Sequence, residues 1–134
     1  MNLLLDTQII IWTLADDPRL SGEARKLILD PENILYYSVV SVWEAAIKHS
    51  LHPEHIDFSG LELSVYCEEA GFLPLDIKER HVIALEDLDE PGQPPIHKDP
   101  FDRMLIAQAR SERMKLLTHD ALINQYPYNC IFYV

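Results

Sequence analysis

The chain has 134 residues, of which 22 are acidic and 11 basic, for a formal net charge of −11. This length suits one domain spanning 1–134, and with 48% hydrophobic residues the chain supplies a core, which excludes wholesale disorder. The acid excess argues against gripping nucleic acid by general phosphate neutralisation, and two cysteines, Cys67 and Cys130, exclude a disulfide framework.

Leu3-Leu4-Leu5 is a short, wholly apolar run of the kind found in a strand covered on both faces. Asp6 breaks this apolar start, and no run approaches the roughly 18 residues of a membrane span. With so few cysteines, a reducing cytoplasm is the expected compartment. Ile9 to Leu14 reads as a helix stopped by Asp16-Asp17-Pro18, and Ser21 N-caps a helix carrying Ala24, Leu27 and Ile28. Ile34 to Val40 is a second strand. Val42 to His49 is a helix with Trp43, Ala46 and Ile47 at core spacing. Leu61 to Ala70 is a helix closed by Gly71, Phe72 to Leu75 a third strand, and Glu79 to Leu88 another helix.

The segment 87–98, with three prolines and a glycine, reads as a long surface loop or a flap over a site. Pro100 opens the strongest helix, which runs to about Arg113 with Leu105, Ile106 and Ala109 facing inward. Leu116-Leu117 gives a fourth strand, Ala121 to Gln125 a short helix, and Asn129 to Tyr133 a last strand. Apolar strands alternating with helices predict an α/β sandwich on a mainly parallel sheet, with its site beyond the carboxyl ends of the strands.

The positions of certain acids say more than their number. Asp6 follows the first strand, Glu44 lies near the start of the helix after the second, Asp99 and Asp102 open the long helix, and Asp120 follows the fourth strand. In a parallel sheet these fall at one edge, where carboxylates repel one another unless a cation joins them. Oxygen ligands of this kind suit Mg²⁺ or Mn²⁺. Each acid also has a purely structural explanation. Ser41 to Glu44 fits a capping box, Asp99 and Asp102 fit a helix cap and first turn, and Asp120 can cap the helix from Ala121. Asp6 is the hardest to explain so, because an acid ending an apolar strand is costly without a partner.

Other signals are weaker. His49, His52 and His55 sit three apart, but around Pro53 and without a zinc motif they read as a polar surface connection. His97 and His119 flank the acidic edge, where they can touch substrate or move a proton, although exposed loop histidines are commoner. There is no GxxxxGK[ST], GxGxxG or GxSxG, and Asp6-Thr7-Gln8 lacks the second aspartate of the DxD phosphatase pattern.

Four blocks together resemble PIN domains, and among them the VapC-like toxins of bacterial toxin–antitoxin systems. They are Leu3 to Thr7, Ser38 to Lys48, His97 to Ala109 and Leu116 to Asp120. The resemblance implies a three-layer α/β/α domain with a five-stranded parallel sheet in the order 3-2-1-4-5. It also implies a Mg²⁺- or Mn²⁺-dependent endoribonuclease acting on RNA, a small antitoxin partner, and in many members a homodimer. Carried over block by block, Asp6, Glu44, Asp102 and Asp120 match the acidic quartet that holds metal and carries catalysis. Thr7 and Thr118 match hydroxyl positions near the metal. Asp99 serves as the helix cap, and Arg103 stands where it can reach a phosphate or simply face solvent. Gln8 replaces a histidine frequent in this branch. Ile10, Ile11 and Trp12 are candidates for an antitoxin groove, with the core the better place for at least half of them. Two other readings use the same residues: a catalytically silent PIN-like binding module and a metal-dependent phosphatase.

Overall fold

Leu3, Leu4 and Leu5 are fully buried in β1 (Asn2–Leu5). A strand covered on both faces needs helices on both, and successive side chains point to opposite layers. Leu3 and Leu5 join one core and Leu4 the other. The computed structural model describes residues 1–134. Its sheet runs β3 (Leu73–Leu75), β2 (Ile34–Ser38), β1, β4 (Lys115–Thr118), β5 (Ile131–Tyr133), with every pair parallel. This is the three-layer α/β/α arrangement with the order 3-2-1-4-5.

One face of the sheet is covered by α1 (Thr7–Leu14), α2 (Gly22–Leu29) and α4 (Gly60–Glu69), through Ile9, Ile10, Ala24, Leu63 and Cys67. The other is covered by α6 (Pro100–Glu112), with Leu105, Ile106 and Ala109 all fully buried, and α5 (Glu79–Ala84) packs beside it. Each such leucine or isoleucine contributes about 1.5–3 kcal/mol by leaving water.

α3 (Val39–Leu51) departs most from expectation. The strand ends at Ser38 instead of Val40, because Ser38 Oγ accepts from Val40 N at 3.0 Å and so caps the helix. The same hydroxyl donates to Gln108 Oε1 at 2.5 Å in the buried interior. A cap with a buried second partner outweighs the strand preference of Val39 and Val40. Starting the helix there turns it, so Val40, Ser41, Glu44 and Ala45 face inward. Trp43, Ala46 and Ile47 face outward, with Trp43 resting its edge on Phe101.

The helix expected to reach Leu88 gives way to a 3-10 turn at Leu85–Asp87, and the one expected from Ala121 is only a 3-10 turn at Ile123–Gln125.

The 87–98 segment is a loop, as its prolines predict, but it is fastened. Asp89 accepts from Ile96 N and Tyr126 Oη, at 2.9 and 3.1 Å, and from Arg103.

Candidate active site

β1 and β4 are neighbours from which the chain winds in opposite directions, and such a reversal leaves a crevice beyond the strands' carboxyl ends. The register pairs Leu5 with Leu117, so Asp6 and Thr118 leave the sheet side by side. Asp6 N donates to Leu117 O at 3.0 Å, and Thr118 Oγ1 donates to Asp6 Oδ2 at 2.7 Å. Asp6 stands at the N-cap of α1 but its side chain caps nothing, leaving the carboxylate for the crevice.

Glu44 reaches the crevice from α3, buried. The capping box predicted for it does not form, because Ser38 is the cap and Ser41 instead bonds Thr7 Oγ1 at 2.7 Å. That bond ties the start of α1 to α3. Glu44 Oε2 receives the Lys48 ammonium, while Oε1 is sealed from solvent with no partner. It is one of only two buried side-chain polar atoms so left, the other being Trp12 Nε1, and both residues line the same cleft.

Asp99 caps α6 as expected, its Oδ1 accepting from Phe101 N and Asp102 N at 2.9 and 3.0 Å. Asp102, in the first turn, meets His97 Nε2 through Oδ2 at 2.7 Å. Asp120 has two roles at once. Its Oδ1 accepts from Leu122 N at 2.7 Å, which is the structural role foreseen, while Oδ2 lies 4.0 Å from His97 Nε2. His97, Asp102 and Asp120 each offer one ligand atom, all within 4.8 Å of one another.

Asp6, Thr7, Glu44, Asp99, Asp102 and Asp120 therefore line one cleft of about 750 Å³. Thr118 lies fully buried behind Asp6 and is joined to the cleft only through its bond to that carboxylate. Arg103 turns away: its guanidinium meets Asp89, the His97 carbonyl and Tyr126 Oη, so it fastens the loop. Ile10 is core, Trp12 is buried in the core with an edge on the cleft, and Ile11 lines the cleft. His119 is held by the Val134 carbonyl at 2.8 Å, stacked against Tyr133.

Crowding has the electrostatic consequence expected. Burial, with the charges of Asp102, Glu44 and Asp120, pushes Asp6 up to about 7 against the opposing pull of the Thr118 bond. Burial, Asp99 and Glu44 push Asp102 up to about 6, although His97 pulls the other way. Several carboxylate oxygens that resist ionising together on one cleft are a donor set that fits a hard divalent cation.

One participant was not singled out from the sequence: Lys48, although it had a usable signal, one helical turn after Glu44. His97 was placed at the acidic edge, and the structure puts it there on Asp102; its burial is explained only by the fastened loop.

The PIN-domain family profile matches residues 3–127. The chain belongs to the PIN-domain family. PIN domains are generally nucleases, and they generally use divalent metal ions. No curated protein matches the sequence. Among solved structures, this PIN domain is similar to VapBC2 from Rickettsia felis bound to a DNA fragment from their promoter, at 15% identity. The alignment covers 99% of this chain and 98% of that one, with a TM-score of 0.70. It is also similar to VapBC-1 from nontypeable Haemophilus influenzae, at 20% identity over 94% and 92% of the chains, TM-score 0.62. A toxin–antitoxin complex from Klebsiella pneumoniae matches at 19% identity over 98% and 99%, TM-score 0.57. At such identities the likeness is one of fold. No helix is long and apolar enough to cross a membrane.

Proposed function

We propose that this PIN domain is a Mg²⁺- or Mn²⁺-dependent endoribonuclease and the toxin of a toxin–antitoxin pair. The observation that carries the reading is the convergence of Asp6, Glu44, Asp102 and Asp120, from separate stretches of chain, on one cleft. Assembling acids whose ionisation burial opposes is costly for folding alone, so a silent binding module has no reason to keep them.

In this reading Asp6, Glu44 and Asp102 hold the cation and Asp120 completes the site or positions a second ion. The cation supplies activation of water and neutralisation of charge on the scissile phosphate. The chain's own groups orient the ligands. Thr118 fixes Asp6 Oδ2, His97 fixes Asp102 Oδ2, and the Thr7–Ser41 bond keeps α1 and α3 in register.

The VapBC relatives support an antitoxin as partner. A net charge of −11 favours a basic one, drawn to the acidic cleft by complementarity. The compartment that goes with this role is the cytoplasm, and a homodimer would show as twice the chain's molar mass in solution. The deciding experiment is sequencing of RNA ends after controlled expression, with Asp102→Asn as control. New ends at defined sites that vanish in the variant support the reading. Identical profiles overturn it.

A further inference from the structure

Lys48 lies one turn beyond Glu44 on α3, lines the cleft and bonds Glu44 Oε2. Its side chain is about half exposed (52%), against 8% for Glu44, so the ammonium sits at the mouth of the acidic cluster and can swing outward. The other strong cation lining the cleft, Arg19, is committed to both oxygens of Asp17, at 3.1 and 2.7 Å. Lys48 is therefore the cleft's one lysine or arginine paired with a member of the quartet.

Glu44 Oε1 is sealed from solvent, so an ion entering from the cleft meets Glu44 at Oε2, where Lys48 already sits. Two cations cannot share that oxygen without strong repulsion. We propose that Lys48 is a resident counter-ion that leaves Glu44 when a divalent cation arrives and then contacts the phosphate of the RNA. The inference rests on the metal-dependent reading of the cleft. A lysine on a flexible stem suits both positions, because its ammonium is a point charge with rotatable donors.

The consequence is a pair of effects with opposite sign. Removing the charge weakens RNA binding and tightens metal binding. A lysine that merely propped Glu44 in place would weaken both when lost. The test uses the full chain as parent, Lys48→Met and the charge-keeping Lys48→Arg. Mn²⁺ affinity is read by titration calorimetry. RNA affinity is read by anisotropy of a fluorescent single-stranded RNA in Ca²⁺ across a salt series. Lys48→Met is expected to bind Mn²⁺ about ten-fold more tightly, for the loss of one unit charge a few ångströms away. Its RNA affinity is expected to fall, with a salt slope shallower by about 0.7, the value for one lost phosphate contact on a single strand. Lys48→Arg keeps the parent slope.

Weaker Mn²⁺ binding in Lys48→Met, or an unchanged salt slope, overturns the inference while leaving the nuclease reading intact. A parent that takes up no Mn²⁺ overturns both.

Discussion

Thr118 Oγ1 donates to Asp6 Oδ2 at 2.7 Å, joining residues 112 positions apart across the point where the strand order reverses. The same oxygen accepts from Asp120 N at 3.0 Å, so one hydroxyl orients two acids of the quartet. Thr118→Val keeps the shape and removes both bonds. It is expected to destabilise the fold by about 1–3 kcal/mol. It also raises the Asp6 pKa further, and weakens Mn²⁺ binding near neutral pH by about ten-fold. Calorimetric titration beside thermal unfolding separates the two effects, and an unchanged Mn²⁺ affinity contradicts this role.

Stability without metal has a definite pH dependence. Asp6 is near 7 and Asp102 near 6 in the folded chain, against an ordinary 3.8, so the folded state holds more protons than the unfolded one between about pH 4 and pH 7. Stability contributed by the protonated forms is present at the low end of that window and is lost as pH rises through it. The metal-free protein is therefore expected to melt several degrees lower at pH 8 than at pH 5. Saturating Mn²⁺ should remove the difference. A melting temperature that climbs over the same interval sinks the assignment.

Asp6→Asn takes away the most strained of these charges while keeping its shape. In the metal-free state at pH 8 it is expected to stabilise the protein by about 1–3 kcal/mol, because a buried ionised carboxylate is replaced by a neutral amide. Flattening of the pH dependence should accompany the gain. Chemical denaturation at pH 8 decides, and a variant less stable than its parent is the contrary result.

His97 is expected to hold Asp102 by its Nε2 hydrogen alone. His97→Ala then lowers Mn²⁺ affinity by about 10–100-fold, the usual range for a group orienting a metal ligand. His97→Gln, which carries a donor at comparable reach, recovers most of it. Equal loss in both variants points to the imidazole as something more than a donor.

The Arg103–Asp89 pair fastens the loop that delivers His97. Bonds from Ile96 N, Arg103 and Tyr126 hold the Asp89 carboxyl below its usual value, although burial alone would raise it. Arg103→Leu leaves that partly buried acid without its cation, held only by Ile96 N and Tyr126 Oη, and is expected to cost about 2–4 kcal/mol. Amide exchange at Ile96 and His97 should accelerate by more than exchange in β1. Uniform acceleration across the chain would indicate a global effect instead.

The sheet was legible because Leu3 to Leu5, Ile34 to Tyr37 and Leu116-Leu117 are short apolar runs, each followed by an acid, a cap or a turn. The convergence of Asp6, Glu44, Asp102 and Asp120 was legible for the same reason: acids standing at strand ends and helix starts share an edge in any parallel sheet. The phase of α3 was not. Ser38 and Ser41 both qualify as caps by type, and only Gln108, distant in sequence, selects Ser38 by accepting its hydroxyl. That choice decides which way Trp43 and Ile47 point, and it frees Glu44 from a capping role. Arg103 was ambiguous on similar grounds, since its partner Asp89 lies in a loop whose course no local pattern dictates.

The central claim is hydrolysis of RNA by a cation held on Asp6, Glu44, Asp102 and Asp120. Its most direct test is the cleavage rate of purified protein on RNA in Mg²⁺, compared with Asp6→Asn shown by circular dichroism to be folded. The account predicts cleavage by the parent that chelator abolishes, and a loss of at least about a hundred-fold in the variant. A folded Asp6→Asn protein that cleaves as fast as its parent would contradict it.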